Sequence, residues 1–248
     1  MGKTVVIKFG GNATEDRVTR KKIINDIVRL SKNNSVILVH GGGPQISRYM
    51  NEAGIKPRFV NGLRYTDPKT MVIAEKALGG INASIANQIN KSGGYAFGMS
   101  CREGNTAISK KIVKLGLVGE IQKVDARLLT LLCKAKIVPV IMPVSKDTKN
   151  TTLNINADTA ATEIAVAMKA DILLFLTDVP GIKDAAGKVY KTVKIKEIDK
   201  LIKSSIITGG MIPKSTGCAQ AVKRGIKQVQ ITDGKKGVSN SSGTVIKY

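Results

Sequence analysis

The chain has 248 residues, 42% of them hydrophobic, and its 40 Lys and Arg against 18 Asp and Glu give a net charge of +22 at pH 7. This length suits one or two domains with a buried core. No apolar run approaches the roughly 18 residues of a membrane span, and the first residues lack the apolar stretch of a signal peptide. One histidine and three dispersed cysteines (Cys101, Cys133 and Cys218) argue against a zinc site and predict reduced thiols in a cytoplasm.

The basic residues recur along the whole chain, without a block of about five like charges. This distribution favours a solvated basic surface, with an anionic partner such as a nucleotide or an acidic protein as the alternative. No aromatic-rich RNA-reading motif accompanies the basic residues, so a nucleic-acid-binding module is the least favoured interpretation.

Strand patterns and helix patterns alternate along the chain. In chain order they predict a strand over 4–9, a helix through 23–30, a strand over 35–39, helices over 44–53 and 68–91, a strand over 95–100, a hairpin within 111–121, a helix over 125–133, a strand over 137–144, a helix over 158–170, a strand over 171–177, helices over 196–204 and 211–224, and strands over 228–232 and 243–246. This alternation predicts an α/β fold with a mostly parallel sheet covered by helices on both faces. A second strand–helix series begins near residues 169–177, where a domain boundary would fall.

Glycine clusters stand where parallel strands end or helices begin. Gly10 and Gly11 follow the first strand, Gly41–Gly43 follow the second, and Gly209 and Gly210 precede the helix over 211–224. Such clusters expose backbone N–H groups to an anion, although a single pair also fits an ordinary turn. Neither a Walker A loop nor a GxGxxG motif is present, so any nucleotide is bound without these motifs.

Several charged residues lie next to these turns. Lys8 interrupts an otherwise apolar strand and suits a phosphoryl-binding cation, whereas the spacing of Lys214 alone favours a solvated helix lysine. Asp158 either stabilises a helix N-terminus or holds catalytic lysines. Arg64 either clamps a substrate carboxylate or belongs to the surface charge. His40 has no nucleophile at a recognisable spacing, which favours a structural histidine.

Six segments together resemble the acetylglutamate kinases of the amino-acid kinase family. They are VVIKFGGNA, VHGGGPQI, FVNGLRYTDPKTM, LNINADTAA, LLFLTDVPGI and ITGGMIPK, and they occur in the order found in that family. The resemblance extends from Thr4 to Tyr248. The KFGG segment alone would also fit aspartate kinases, and NGLRYTD with NINAD narrows the choice.

The resemblance implies an open αβα sandwich with an amino-acid-substrate and dimerisation lobe over residues 1–170 and a nucleotide-binding lobe over 171–248. It also implies ATP-dependent phosphorylation of the side-chain carboxylate of N-acetyl-L-glutamate to N-acetyl-L-glutamyl 5-phosphate, in arginine biosynthesis. Mg²⁺ would be held mainly by the nucleotide phosphates, without metal ligands from the protein.

The family motifs also imply roles for individual residues. Lys8 and Lys214 would stabilise the transferring phosphoryl group, and Asp158 would organise both lysines. The implied substrate-binding residues are Gly42, Gly43, Arg64 and Asn154. The implied nucleotide-binding residues are Gly10, Gly11, Asp178, Val179, Pro180, Gly181, Ile206, Ile207 and Thr208.

Two features depart from the family pattern. A stretch that commonly contains Ser-Gly-Lys-Asp-Gly has Cys101 in place of the first glycine. Arginine-inhibited members carry an additional N-terminal helix, whereas the first strand pattern here begins at Thr4, so we expect a homodimer without arginine feedback. The high basic charge leaves a second substrate open, namely a glutamate or aminoadipate carried on an acidic carrier protein.

Overall fold

A computed structural model describes residues 2–10, 16–209, 211–238 and 243–248. Gly11 and Gly210, both singled out in the sequence, lie outside these ranges. The helices are α1 Arg17–Ser31, α2 Gly43–Glu52, α3 Pro68–Lys91, α4 Arg127–Lys134, α5 Ala157–Ala167, α6 Ile195–Lys203 and α7 Met211–Lys223. The strands are β1 Thr4–Phe9, β2 Ser35–His40, β3 Phe59–Val60, β4 Leu63–Arg64, β5 Ala96–Ser100, β6 Ala107–Lys111, β7 Val118–Val124, β8 Val138–Met142, β9 Val144–Lys146, β10 Thr152–Ile155, β11 Ile172–Thr177, β12 Thr192–Lys194, β13 Gln228–Asp233 and β14 Gly243–Lys247.

Eight strands form one central sheet in the order β12-β14-β13-β11-β1-β2-β8-β5. All neighbours are parallel except β13 and β14, so the prediction of a mostly parallel α/β sheet is confirmed. Strand β1 lies in the middle, between β11 and β2. The carboxyl ends of these parallel strands therefore meet at one edge, which is where ligands bind in open α/β sheets.

Alternate residues of β1 pack in two apolar layers, one on each face of the sheet. Val5 and Ile7 pack in a layer with residues of α1 and α3, whereas Val6 packs in the opposite layer with residues of α4, α5 and α7. Because side chains alternate along a strand, Lys8 shares the face of Val6. The sandwich therefore directs Lys8 towards the side that α5 and α7 cover.

The longest helix begins as the sequence predicts. Asp67 is its N-cap, and one of its carboxylate oxygens accepts a hydrogen bond from the Thr70 N–H at 2.7 Å. Pro68 occupies the first turn, where its missing N–H costs nothing. Helix α5 is shorter than predicted because Lys169 adopts a left-handed conformation (φ 49°) that ends the helix before Ala170.

Two smaller strand groups stand beside the main sheet. Strands β6, β7, β9 and β10 close on themselves, and β3 pairs with β4 as a short hairpin. Of these, only a hairpin within 111–121 was predicted; it corresponds to β6 and β7, whose strands extend beyond both bounds, and the other strands are only two to four residues long. Asn61 and Gly62, with φ of 50° and 78°, form the two-residue turn between β3 and β4.

Within the described ranges, no helix combines the length and the apolar character that crossing a bilayer requires.

His40, the single histidine of the chain, is fully buried at the end of β2. Its Nδ1 lies 2.9 Å from the carbonyl oxygen of Gly41, and its Nε2 lies 3.1 Å from Nδ2 of Asn82. Burial, assisted by the charge of Arg20, lowers the pKa of His40 to about 4 despite the hydrogen bond to Gly41. The imidazole is therefore neutral in the folded protein at physiological pH.

This burial predicts a pH-dependent stability. The unfolded imidazole takes up a proton near about pH 6.5, whereas the folded one does so only near about pH 4. Between these values the unfolded state therefore binds more protons than the folded state. The stability that His40 contributes to the folded state is complete above about pH 6.5 and is lost as the pH falls. We expect the free energy of unfolding to drop by about 2 kcal/mol between about pH 8 and about pH 5, measured by urea unfolding.

His40→Gln is the control, because it removes the titrating imidazole. Unfolded carboxyls titrate mainly below about pH 5, so His40 accounts for most of the pH dependence between about pH 8 and about pH 5. The free energy of unfolding of His40→Gln should change little across this range. Equal pH slopes in the wild type and His40→Gln would contradict the prediction.

Candidate active site

A cavity of about 260 Å³ opens at the carboxyl edge of the sheet. Its polar or glycine lining consists of Lys8, Gly10, Gly41, Gly42, Gly43, Gly62, Arg64, Asn154, Asn156 and Asp158. Its apolar lining consists of Pro44, Ile46, Phe59, Leu63, Leu78, Val118, Pro143, Ile155 and Ala157. The cavity therefore combines a cationic and glycine-rich end with a largely apolar wall.

Asp158 joins two lysines from distant parts of the chain. Lys8 Nζ lies 3.0 Å from Oδ1 as an ion pair, and Lys214 Nζ donates to Oδ2 at 2.9 Å. Both lysine side chains are mostly buried, with 12% and 15% exposure. Burial works against ionisation of Asp158, but the two ammonium groups outweigh it and lower the pKa of the carboxyl. The carboxylate therefore stays ionised and fixes both cations.

Each of these three side chains is positioned by a strand end or by the first turn of a helix. Lys8 comes from β1, Asp158 from the first turn of α5, and Lys214 from the first turn of α7. Asn156 caps α5 by accepting from the N–H groups of Asp158 and Thr159 at 2.9 and 3.0 Å. Helix N-termini carry partial positive charge, so both helices add to the attraction for anions.

Phe175 forms a floor beneath the two lysines. It is the register partner of Lys8 in the β1–β11 pair, and its side chain is 2% exposed. Lys214 Nζ lies 5.6 Å from the centre of its ring, within cation–π distance. The ring therefore restricts the positions that the Lys214 ammonium can take.

At this end of the cavity, two glycines let neighbouring side chains lie close to the backbone. A Cβ on Gly10 would overlap the Lys8 ammonium, and a Cβ on Gly42 would come 2.8 Å from Leu78 Cδ2 and 2.9 Å from Ile81 Cδ1. Gly42 is also the N-cap of α2 and offers no side chain to cap it. The backbone N–H groups at this helix start are thus available to a ligand.

Arg64 is held rigidly at the other end of the cavity. It is 8% exposed, donates to Gly43 O at 3.0 Å and to Ser47 Oγ at 2.9 Å, and stacks 4.8 Å over the ring of Phe59. Burial lowers the pKa of Arg64 from its ordinary value. Asn154 is positioned by donating to Thr66 Oγ1 at 3.2 Å.

The structure brings together most of the predicted substrate and catalytic residues. Lys8, Gly10, Gly42, Gly43, Arg64, Asn154 and Asp158 line the one cavity, and Lys214 reaches it through Asp158. Lys214 itself lines a neighbouring cavity of about 500 Å³ between α5 and α7.

Of the predicted nucleotide residues, Gly10 lines the first cavity, whereas residues 178–181 and 206–208 line neither cavity. Asp178, Val179, Pro180 and Gly181 follow β11, and Ile206, Ile207 and Thr208 precede α7. Gly181 has a φ of 141°, and a Cβ there would come 2.6 Å from Thr244 Oγ1. Their contact with a nucleotide stays a prediction, and Gly11 lies outside the described residues.

Sequence reasoning missed the apolar wall and Asn156. The wall residues come from separate elements and carry no common signal in the sequence. Asn156 was recognisable in principle, because an asparagine immediately before an alanine-rich helix is a frequent N-cap.

The arrangement suits charge stabilisation. It offers two ammonium groups, a guanidinium and free helix-start N–H groups, which match a phosphoryl group beside a carboxylate. Among the described residues, no group of three or more His, Cys, Asp or Glu side chains could hold a metal ion.

Comparisons with known proteins identify the family of the chain. The model of the amino acid kinase family matches residues 3–233. An acetylglutamate kinase from Endomicrobium trichonymphae is 44% identical over 248 residues, covering 100% of both chains.

Solved structures share the fold. The crystal structure of smu.665 from Streptococcus mutans UA159 has a TM-score of 0.88 and 27% identity, covering 100% of this chain and 99% of that one. N-acetylglutamate synthase from Neisseria gonorrhoeae, complexed with coenzyme A and N-acetyl-glutamate, has a TM-score of 0.89 and 24% identity over 100% of this chain and 60% of its own. The second likeness concerns the fold alone. By sequence, the chain belongs to the amino acid kinase family and, within it, groups with the acetylglutamate kinases.

Proposed function

We propose that the chain uses ATP to phosphorylate the side-chain carboxylate of N-acetyl-L-glutamate, giving N-acetyl-L-glutamyl 5-phosphate for arginine biosynthesis. The observation that carries the proposal is the Lys8–Asp158–Lys214 ion-pair cluster at one end of a cavity that has Arg64 at the other. The 44% identity to a full-length acetylglutamate kinase supports the choice of substrate.

Lys8 and Lys214 supply the charge that phosphoryl transfer needs. The transition state spreads negative charge over the phosphoryl oxygens, and catalysis consists mainly of positioning and electrostatic stabilisation. The acceptor carboxylate is already ionised at neutral pH, so the reaction needs no general base. Asp158 holds the two ammonium groups in place and touches neither reactant in this mechanism.

Arg64 and the apolar wall would select the amino-acid substrate. The guanidinium fork matches a carboxylate, and its fixed contacts to Gly43 and Ser47 pre-organise it. The apolar wall suits the methylene chain and the acetyl group of N-acetylglutamate, whereas the ammonium of free glutamate would lie against it at a desolvation cost.

The residues present fit a magnesium nucleotide. Gly10 leaves space beside Lys8 that a Cβ would fill, and α7 presents its N-terminus at the same edge. When bound, MgATP supplies the phosphoryl group and a cation that the phosphates themselves ligate. Gly10, Gly11, 178–181 and 206–208 are the residues we assign to it.

We further propose a substrate lobe over 1–170, a nucleotide lobe over 171–248, and a homodimer in the cytoplasm. The two lobes share one sheet, because β11 of the second pairs with β1 of the first from Val5 to Phe9. Movement between them would therefore bend a continuous sheet rather than separate two units.

Hydroxamate trapping tests the function directly. Purified protein, MgATP and N-acetyl-L-glutamate are mixed with hydroxylamine, which converts an acyl phosphate to a coloured hydroxamate. We expect product that requires ATP and fails to form with plain glutamate. No product from folded, ATP-binding protein would reject the free substrate and favour a carrier-bound glutamate or aminoadipate.

Replacing Lys8 tests the cationic cluster. Lys8→Met should lower kcat by about 10²–10³-fold, because it removes charge that faces the transition state while keeping an apolar stem in the sheet. Urea unfolding checks that the variant folds. Lys3→Met, at an exposed site just before the same strand, is the control and should leave kcat unchanged. Wild-type turnover in Lys8→Met would remove Lys8 from the mechanism.

Replacing Arg64 tests the substrate clamp. Arg64→Lys keeps the charge but loses the fork, and we expect KM for N-acetyl-L-glutamate to rise by about ten- to a hundredfold, the value of a hydrogen bond to a charged group. The KM for ATP should change little. A rise confined to the KM for ATP would contradict the prediction, because Arg64 would then bind the nucleotide rather than N-acetyl-L-glutamate.

A further inference from the structure

The contacts of His40 determine which of its nitrogens carries the proton. The carbonyl oxygen of Gly41, 2.9 Å from Nδ1, can only accept, so Nδ1 is protonated. Asn82 faces Nε2 with its amide nitrogen, which can only donate, so Nε2 is bare. The chain thus holds one defined neutral tautomer in a fully buried site.

The orientation of Asn82 is itself determined by the main sheet. Its Nδ2 donates to Val140 O at 2.8 Å and approaches Met99 O at 3.4 Å, and both carbonyls would repel the amide oxygen. Gly98 makes room for that oxygen, because a Cβ there would overlap Oδ1 of Asn82. Asn82 therefore presents a donor to His40 and cannot turn round without losing these bonds.

The hydrogen bond from His40 also sets the direction of the next peptide. In a trans peptide the C=O and the following N–H point in opposite directions, so turning Gly41 C=O onto the imidazole turns the Gly42 N–H away from it. Gly41, Gly42 and Gly43 line the cavity beside Lys8, whereas His40 does not. Among the described residues, neither the Gly42 N–H nor the Gly43 N–H has a hydrogen-bond partner.

We propose that His40 and Asn82 are positioning residues that aim the Gly42 N–H at the anionic oxygens reacting beside Lys8. Asn82 on α3 fixes the tautomer of His40, and His40 Nδ1–H fixes the Gly41–Gly42 peptide. Leu78 and Ile81, on the same helix, close the space behind Gly42. The inference rests on the proposed kinase function for its kinetic consequence, but the tautomer does not depend on that function.

Two substitutions at His40 separate positioning from packing. The amide nitrogen of Asn takes the place of Nδ1, whereas the amide of Gln takes the place of Nε2. His40→Asn can therefore still donate to Gly41 O but leaves a larger void, and His40→Gln fills the volume better but has no donor at that place.

The proposal predicts that the two variants rank oppositely in activity and stability. We expect kcat to fall by about tenfold or more in His40→Gln relative to His40→Asn, part of the 10²–10³-fold that a lost oxyanion donor costs. His40→Asn should have the lower urea midpoint. The change should be in kcat rather than KM. If kcat instead follows the urea midpoint, His40 only packs and the proposal is wrong.

The second test replaces Asn82. We expect Asn82→Leu to lower kcat by several-fold, because the donor that fixes the tautomer is lost. Asn87→Leu, at an exposed asparagine of the same helix, is the control with unchanged kcat. Equal kcat values in the two variants would remove Asn82 from the proposal.

Nuclear magnetic resonance of the ¹⁵N-labelled imidazole gives a readout without turnover, and assignment is simple because the chain has one histidine. We expect a protonated Nδ1 and a bare Nε2 in the wild type, with that preference weakened in Asn82→Leu. A proton on Nε2 in the wild type would overturn the proposal. Absent hydroxamate in the wild type with the expected tautomer would instead refute the proposed function and leave the His40 geometry in place.

Discussion

The site depends on one carboxylate that holds two like charges together. Lys8 and Lys214 come from opposite ends of the chain, and their ammonium groups approach each other only because Asp158 lies 3.0 and 2.9 Å from them. Partly buried cations without a counter-ion are strongly destabilising. The Asp158 carboxylate therefore makes β1, α5 and α7 one electrostatic unit as well as one packing unit.

The sheet topology explains why these three groups can meet. Side-chain alternation in β1 directs Lys8 to the α5 side, and β11 places Phe175 next to it on the same face. Helices α5 and α7 both begin at the carboxyl edge of the parallel sheet, so their first turns carry Asp158 and Lys214 to the end of β1. The charge cluster is thus a consequence of parallel strands and short connections.

Local patterns predicted the parts of the fold that are locally determined. The strand at Thr4–Phe9 and the capped helix from Pro68 follow from apolar alternation and from the Asp67 cap. Strand β10 was missed because its four residues, TLNI, mix polar and apolar types, and because one of its two partner strands, β7, is distant in the sequence. At Asp158, the residues alone left two interpretations open, a helix N-terminal acid or a carboxylate that holds catalytic lysines, and the family resemblance favoured the second. Contacts such as Arg64 with Gly43 are tertiary and leave no trace in a single sequence.

Helix α3 supports the site although Leu78 is the only one of its described residues that lines the first cavity. Near its start, Thr66 Oγ1 accepts from Asn154, and the Thr66 carbonyl accepts from the N–H of Leu117, just before β7, at 2.6 Å. About three and four turns further along, Leu78 and Asn82 support Gly42 and His40 from behind. A packed helix of 24 residues moves little on its own, so the glycine loop and Asn154 keep a fixed separation. Catalysis by oriented dipoles requires such rigidity, because donors that must reorient during the reaction lose most of their stabilising effect. The length of α3 is therefore explained by what it connects.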